Sequence, residues 1–320
     1  MRPTRILIIG ATGQIGPELA QVLADRHGND AVVTSDLAPS GRVPQLRHEQ
    51  LDVSDRGALA AAVEKHHVTQ VYHLAAALSA SGEKAPQWAW QLNMNGLLNV
   101  LEVARAARLE RVFWPSSIAA FGPTTPADAT PQKTVMEPTT VYGISKLAGE
   151  GWCRWYHAQH GVDVRSLRYP GLISAKTPPG GGTTDYAVEI FHAALRGGHY
   201  RCFLRADQAL PMMYMTDALR ATIELMEAPA ERVRERGSYN LAALSFTPAQ
   251  VAGAIAQRVP GFTLSCEPDF RQEIAATWPR SIDDRAARDD WGWAPRFGLD
   301  AMVDDMLAQL RAAAASARIG

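Results

Sequence analysis

Five short apolar runs, at 5–9, 31–35, 70–74, 111–116 and 163–169, alternate with stretches of helical periodicity at about 15–24, 55–66, 88–107 and 141–159. The runs are rich in Val, Ile, Leu and aromatics, as strands buried on both faces are. Strand, helix and strand in succession demand a crossover, so this rhythm specifies parallel strands in a doubly wound α/β sheet. Two segments interrupt it. Residues 122–140 carry four prolines and six threonines and predict an ordered or semi-ordered loop, and PPGGG at 178–182 reads as a hinge. Beyond residue 170 the pattern is less regular, with helices expected near 185–196, 216–227, 248–258 and 299–314.

The first run ends in Gly10-Ala-Thr-Gly13-Gln14-Ile15-Gly16, and a helix follows. Small residues there let the backbone turn sharply and approach a pyrophosphate at a helix N-terminus. A Gly-rich turn alone is weak evidence; the strand–turn–helix context and Asp36, which closes the second run about where a ribose-binding acid belongs, strengthen it. A carboxylate accepts hydrogen bonds from both ribose hydroxyls and repels a 2′-phosphate. Ser35 and Leu37 flank it, so no adjacent arginine neutralises such a phosphate, and the pattern points to NAD rather than NADP. Asp52-Val53 stands where the next crossover brings a carboxylate toward the adenine, although Asp52 reads equally as the cap of the helix starting near Asp55. Leu74-Ala75-Ala76 offers small side chains along the cofactor's path. His73 is an alternative catalytic candidate, but a single His ending a buried strand reads first as a packed residue.

Tyr142-Gly-Ile-Ser-Lys146 puts a phenol and an ammonium at i and i+4 on one helix face. A phenol of ordinary pKa near 10 is a poor base at neutral pH, and a fixed cation beside it favours the phenolate. Ser116-Ser117 ends a strand upstream, at the sheet edge where doubly wound folds bind ligands. With Asn93-Met-Asn95-Gly96 on the helix between them, these motifs resemble the extended short-chain dehydrogenase/reductase superfamily, which includes sugar-nucleotide epimerases and dehydratases. In SIAAFG, Ser117 matches the family's catalytic serine, and Phe121 replaces the usual tyrosine. The matches cover 5–175 strongly; the segments at 213–217 (MYMTD) and 290–295 (DWGWAP) extend them more weakly.

Three further segments, LSASGE from Leu78, SAKTPPGGGTTDY from Ser174 and WPRSID from Trp278, resemble the short-chain type of L-threonine 3-dehydrogenase. That resemblance implies NAD-dependent oxidation of the Cβ hydroxyl of L-threonine to 2-amino-3-oxobutanoate. It implies Tyr142 as base, Ser117 orienting the hydroxyl, and Lys146 holding the nicotinamide ribose and lowering the tyrosine pKa. Asn95 then sustains a proton-relaying water or simply satisfies backbone groups. Tyr169 joins the cofactor set. Ser79, Thr183 and Thr184 match positions that contact the amino acid's polar ends, or are turn residues of a Gly-rich loop. The expected layout is a Rossmann-type NAD-binding domain over 1–172, completed near 211–242. A smaller C-terminal substrate-binding domain takes 173–210 and 243–320.

Composition narrows the alternatives. Lys plus Arg number 32 against 33 Asp plus Glu, a balance that argues against nucleic-acid or anionic-membrane partners. Three scattered cysteines form neither a disulfide framework nor a zinc site, and no metal is expected. No apolar run approaches the roughly 18 residues of a membrane span, and MRPTR leads into an apolar run too short for a signal peptide. A cytoplasmic location is expected. Trp88, Trp90, Trp152 and Trp155 put apolar surface on more than one helix face, which suits pairing between subunits, as in many relatives; a homodimer is expected. Two other readings stand beside the amino-acid dehydrogenase. A sugar-nucleotide epimerase with tightly held NAD needs basic side chains for a diphosphate, for which Arg201, Arg205 and Arg280 are available but not clustered. A non-catalytic NAD sensor on the same fold would not need the Ser117/Tyr142/Lys146 set.

Overall fold

The computed structural model describes residues 3–177 and 182–316. Ile6–Ile9 (β1) is buried throughout: Leu7 and Ile9 pack into one apolar cluster, Ile6 and Ile8 into another on the opposite face. Such a strand must be central. It pairs in parallel with Val32–Asp36 (β2) on one side and Gln70–His73 (β4) on the other, with Ile6 opposite both Val32 and Gln70. Arg47–Gln50 (β3) pairs outside β2, while Arg111–Phe113 (β5) and Val164–Arg165 (β7) extend the sheet beyond β4. The order is β3-β2-β1-β4-β5-β7, all parallel. The chain steps outward from β1 and then returns to lay β4 on its other side, which opens a crevice beyond the C-terminal ends of β1 and β4.

The expected strands at 111–116 and 163–169 each break in two. Pro115, without an N–H, separates β5 from Ser116–Ser117 (β6), and Leu167–Tyr169 (β8) follows β7; β6, β8 and Tyr239–Asn240 (β12) form a small parallel sheet. Two further sheets serve the C-terminal part. Gly171–Ile173 (β9), Leu210–Tyr214 (β11) and Leu244–Phe246 (β13) make one, and His199–Cys202 (β10) with Thr263–Cys266 (β14) the other.

Gly16–His27 (α1), Arg56–Lys65 (α2), Ser79–Lys84 (α3), Pro86–Trp90 (α4), Gly96–Ala107 (α5) and Val141–His160 (α6) connect the main strands. A π-helical turn, Gln91–Asn95, joins α4 to α5, so the helix expected over 88–107 is continuous in path but not in phase. The loop at 122–140 is ordered: Thr125 Oγ1 donates to the Val135 carbonyl, and Thr130 pairs with Ile282 in a β-bridge. Tyr186–Arg196 (α7) and Met215–Glu227 (α8) begin the C-terminal part, where Tyr186, Phe191, Leu204 and Met302 share a third apolar cluster. Arg165 in β7 is fully buried. It is paired with Asp163 and donates to the carbonyls of Leu225, Met226 and Ala228 at the end of α8.

Candidate active site

The Gly-rich turn leaves β1 at the crevice. Gly10 takes φ +79°, and a Cβ on it would collide with the Ala75 main chain, so only glycine lets the turn lie against the strand-end segment after β4. The amides of Gly10 and Ala11 both donate to the Ser35 carbonyl, at 2.9 and 3.0 Å. Asp36 reaches back to the turn: its Oδ2 accepts from the Thr12 amide at 2.9 Å and its Oδ1 from Leu37 N at 2.8 Å. No side chain caps α1, so the first amides of that helix are open to an anion. A cavity of about 250 Å³ is lined by Gly10, Gly13, Asp36, Asp52, Val53, Leu74, Ala75 and Ala76, together with Thr12, Leu51 and Leu92. Asp52 does not cap α2. Its Oδ1 accepts from Ser54 N, and Asp55 is the cap, accepting from Ala58 N at 2.9 Å.

Next to it, sharing Leu74 and Ala76, lies a cavity of about 150 Å³. Gln14, Ile15, Ser79, Ser117, Tyr142, Lys146, Tyr169, Thr183 and Thr184 all line it. Gly16 lines neither cavity; a Cβ there would meet the Ala11 main chain, so its small size serves the packing of α1 against the turn.

The reactive groups come from two elements. Helix α6 is capped by Thr140, which accepts from Gly143 N, and by Glu83 of α3, which accepts from Val141 N at 2.7 Å. Gly143 lets the first turn pass close over the Ala119 carbonyl, where a Cβ would not fit. This seats Tyr142 on Ser117. Burial pushes the Tyr142 phenol up to about 12, against the lowering effect of the Ser117 hydrogen bond. Lys146 is buried, donates to the Pro115 carbonyl at 2.6 Å and stands 4.6 Å above the Trp114 ring. Burial draws its ammonium down to about 7, while the nearby Cys153 and Glu150 hold it up. The group that lowers the phenol's pKa here is thus Ser117 rather than Lys146, whose Nζ lies 5.4 Å from the tyrosine ring centroid.

Asn95 is exposed and lines neither cavity. The inward asparagine is Asn93: its Oδ1 accepts from Ala77 N at 2.7 Å, and its Nδ2 donates to Ala77 O at 3.1 Å and Ser145 Oγ at 3.0 Å. The extra residue of the π-helical turn sets this phase, which a regular helical wheel does not contain. His73 is buried with neither ring nitrogen hydrogen-bonded, and burial holds its imidazole down at about 3.

Thr183 is buried and Thr184 half-buried; the amide of Gly182 donates to Asp185 Oδ2 at 2.7 Å. On the near side, Thr177 Oγ1 donates to the Gln14 carbonyl, tying this segment to the Gly-rich turn. The expected hinge lies, for 178–181, outside the described residues. Asp185 and Trp278 line the cavity beside the predicted residues. Trp278 stood in a motif carried by resemblance alone, and nothing in its spacing placed it here. Arg201 and Arg205 are paired with Glu267 and Asp207 at 3.2 and 3.0 Å, Arg280 is paired with Asp128, and none of the three lines either cavity. A larger open groove of about 1,100 Å³ runs between α2 and α5 past Arg5, Arg56 and Glu102, away from these reactive groups. Among the described residues no three His, Cys, Asp or Glu gather as metal ligands, and no helix is long and apolar enough to cross a membrane.

Residues 6–242 match the NAD dependent epimerase/dehydratase family. An uncharacterized epimerase/dehydratase of Staphylococcus haemolyticus is 47% identical over 307 residues, spanning 95% of this chain and 96% of that protein. Among solved structures, the holo form of a GalE-like L-threonine dehydrogenase from Cupriavidus necator superposes with a TM-score of 0.95 at 72% identity, over 96% of this chain and 99% of that one. L-threonine dehydrogenase from Phytophthora infestans superposes with a TM-score of 0.94 at 49% identity, over 97% of this chain and all of that one.

Proposed function

The chain belongs to the NAD dependent epimerase/dehydratase family, as an oxidoreductase with NAD as its cofactor, and we propose that it oxidises the Cβ hydroxyl of L-threonine to 2-amino-3-oxobutanoate. The observation that carries this reading is the set of hydroxyls from Ser79, Ser117, Thr183 and Thr184 that line the cavity in front of Tyr142, where a small polar substrate would find donors and acceptors. A nucleotide sugar's diphosphate would instead find Arg201, Arg205 and Arg280 already paired and outside that cavity. The relatives of known activity described above are threonine dehydrogenases.

Bound NAD supplies the hydride acceptor. In the cofactor groove, Asp36 would hold the adenosine ribose, Asp52 and Val53 the adenine side, and the backbone amides after Gly13, at the start of α1, the pyrophosphate. Tyr142 would take the hydroxyl proton, Ser117 would orient that hydroxyl, and Lys146 would hold the nicotinamide ribose. The phenol begins well above neutral, so the step needs positive charge near it, from Lys146 in its ammonium form and from the oxidised cofactor. Ser79, Thr183 and Thr184 would take the substrate's carboxylate and ammonium, with the NAD-binding part over 1–172 and 211–242 and the substrate part over 173–210 and 243–320. We also assign a homodimer to the exposed apolar face of α6, which carries Ile144, Trp152 and Trp155.

The test is NADH formation by the purified protein with L-threonine, other small hydroxy amino acids and a UDP-sugar. Threonine-dependent reduction of free NAD, lowered about 10²–10⁴-fold in Tyr142→Phe with NAD binding intact, is expected. Interconversion of UDP-sugars without net NADH would replace this reading with the epimerase.

A further inference from the structure

Tyr142, Lys146 and Glu150 fall on one face of α6, four residues apart. Beneath them run three consecutive residues, and each meets one of the three. Ser117 hydrogen-bonds the Tyr142 phenol, the Pro115 carbonyl accepts from Lys146 at 2.6 Å, and the Ser116 hydroxyl donates to Glu150 Oε1 at 2.7 Å. Glu150 has no exposed surface. Arg168 of β8 occupies both its oxygens, donating from Nε to Oε1 at 2.8 Å and from Nη2 to Oε2 at 2.7 Å. Arg168 is buried as well; its Nη1 donates to the Gln132 carbonyl and to Asn240 Oδ1, and its guanidinium lies 5.1 Å from the Phe121 ring centroid. A buried ion pair gives little net stability, because desolvation offsets the Coulomb attraction, and apolar residues of the same volume fill such space equally well. Apolar residues would not grip Ser116.

We propose that Glu150 is a positioning residue: held by Arg168, it clamps Ser116 and so fixes the flanking Pro115 and Ser117 against Lys146 and Tyr142. This rests on the roles proposed for Tyr142 and Lys146, not on the identity of the substrate. The carboxylate also acts through its charge, opposing the desolvation of the Lys146 ammonium. The other ionisable groups around this face are few. Cys153 lies on the same helix, and His73 of β4 is neutral near pH 7. Arg154 approaches Glu150 to 4.0 Å from the exposed side, Glu83 sits at the start of α6, and Asp185 lines the cavity. Without the Glu150 charge, Lys146 gives up its proton more readily. A loosened Ser116 carries Ser117 off the Tyr142 phenol and removes the hydrogen bond that lowers it, so Tyr142 ionises at higher pH.

Two variants of the full-length protein separate the clamp from the charge. Glu150→Gln keeps shape and an acceptor for Ser116 but loses the charge; Ser116→Ala keeps the ion pair and loses the grip. The measurements are NAD affinity by tryptophan fluorescence, kcat and KM for threonine, and tyrosinate titration by ultraviolet difference absorbance in the NAD complex, with Tyr142→Phe identifying the signal. Both variants are expected to bind NAD and to lose about tenfold in kcat with KM within about threefold. The Tyr142 titration should move up in Ser116→Ala, where Ser117 is released from its place against the phenol, and less in Glu150→Gln, which keeps an acceptor for Ser116. A merely structural role would lower Tm and leave that titration unmoved. Wild-type kcat and titration in both variants would overturn the proposal, and if Glu150→Gln does not fold, Ser116→Ala decides alone. Should the wild type fail to oxidise threonine, the substrate reading falls, while the titration, which needs no substrate, still decides the clamp.

Discussion

At the scale of single residues, the site places an ammonium where solvent cannot reach it. The Lys146 value falls from an ordinary 10.5 to about 7 on burial. The unfolded chain therefore holds this proton more tightly, and the native state loses stability as pH drops from 10.5 toward 7, with the loss complete below that. The cost reaches about 5 kcal/mol at most. Lys146→Met is expected to raise Tm at neutral pH and abolish turnover, with the Tm difference shrinking as pH rises toward 10. A Met variant less stable than wild type at neutral pH would show that the ammonium's contacts with Pro115 and Trp114 outweigh its desolvation. Asp36 accepts from the Thr12 amide and is the residue proposed above for the ribose. Asp36→Ala should weaken NAD binding by about ten- to a hundredfold and narrow its advantage over NADP, measured by fluorescence titration of both. Most of these residues were legible because their chemistry has a fixed spacing. Asn95 was not, since it and Asn93 lie two apart on opposite faces of a regular helix, and only the π-helical turn decides which faces inward. Asp52 and Asp55 posed a similar choice, settled by which carboxylate meets the Ala58 amide.

At the scale of elements, the reactive phenol is placed by how closely α6 starts against the short 3-10 turn Ile118–Ala120. Gly143→Ala must lift that first turn off the Ala119 carbonyl and carry Tyr142 away from Ser117. The expected outcome is at least about a tenfold loss of kcat, together with a loss of about 1–3 kcal/mol of stability from overpacking, read by steady-state kinetics and thermal melts. Wild-type activity in this variant would show that the turn slides without disturbing the pair. Strands with continuous apolar runs were legible because burial on both faces leaves no other composition. Strand β3 was not: Arg-His-Glu-Gln at a sheet edge carries no apolar signal, and its pairing comes from the neighbour. The short helices α3, Phe270–Ala276 and Arg285–Trp291 escaped for a related reason, since six or seven residues show too few turns to display a period.

At the scale of the whole molecule, the proposed homodimer rests on an exposed apolar face of α6. Ile144, Trp152 and Trp155 stand 46%, 38% and 45% exposed on α6, more than a solvated helix face ordinarily tolerates in a cluster. If the proposed dimer is present, Trp155→Glu is expected to convert it to monomers in sedimentation at micromolar concentration while NAD binding persists; a monomeric wild type would overturn the dimer, and an unchanged dimer would move the interface elsewhere. The same scale shows how the chain closes on itself. Ile6 and Ile8 share their cluster with Met213, Leu241, Trp291 and Trp293, and Arg165 finds its three carbonyls 60 to 63 residues further on. During synthesis, at about 5–20 residues per second, the first half must therefore wait for the last third before its core is sealed. Until then that face of the sheet is covered only by α1, and the Arg165 guanidinium, destined for burial, has Asp163 but none of its carbonyl partners. A nascent chain arrested near residue 172 is thus a natural client for chaperones and proteases, and the enzyme's yield in a cell depends on how quickly its C-terminal third leaves the ribosome.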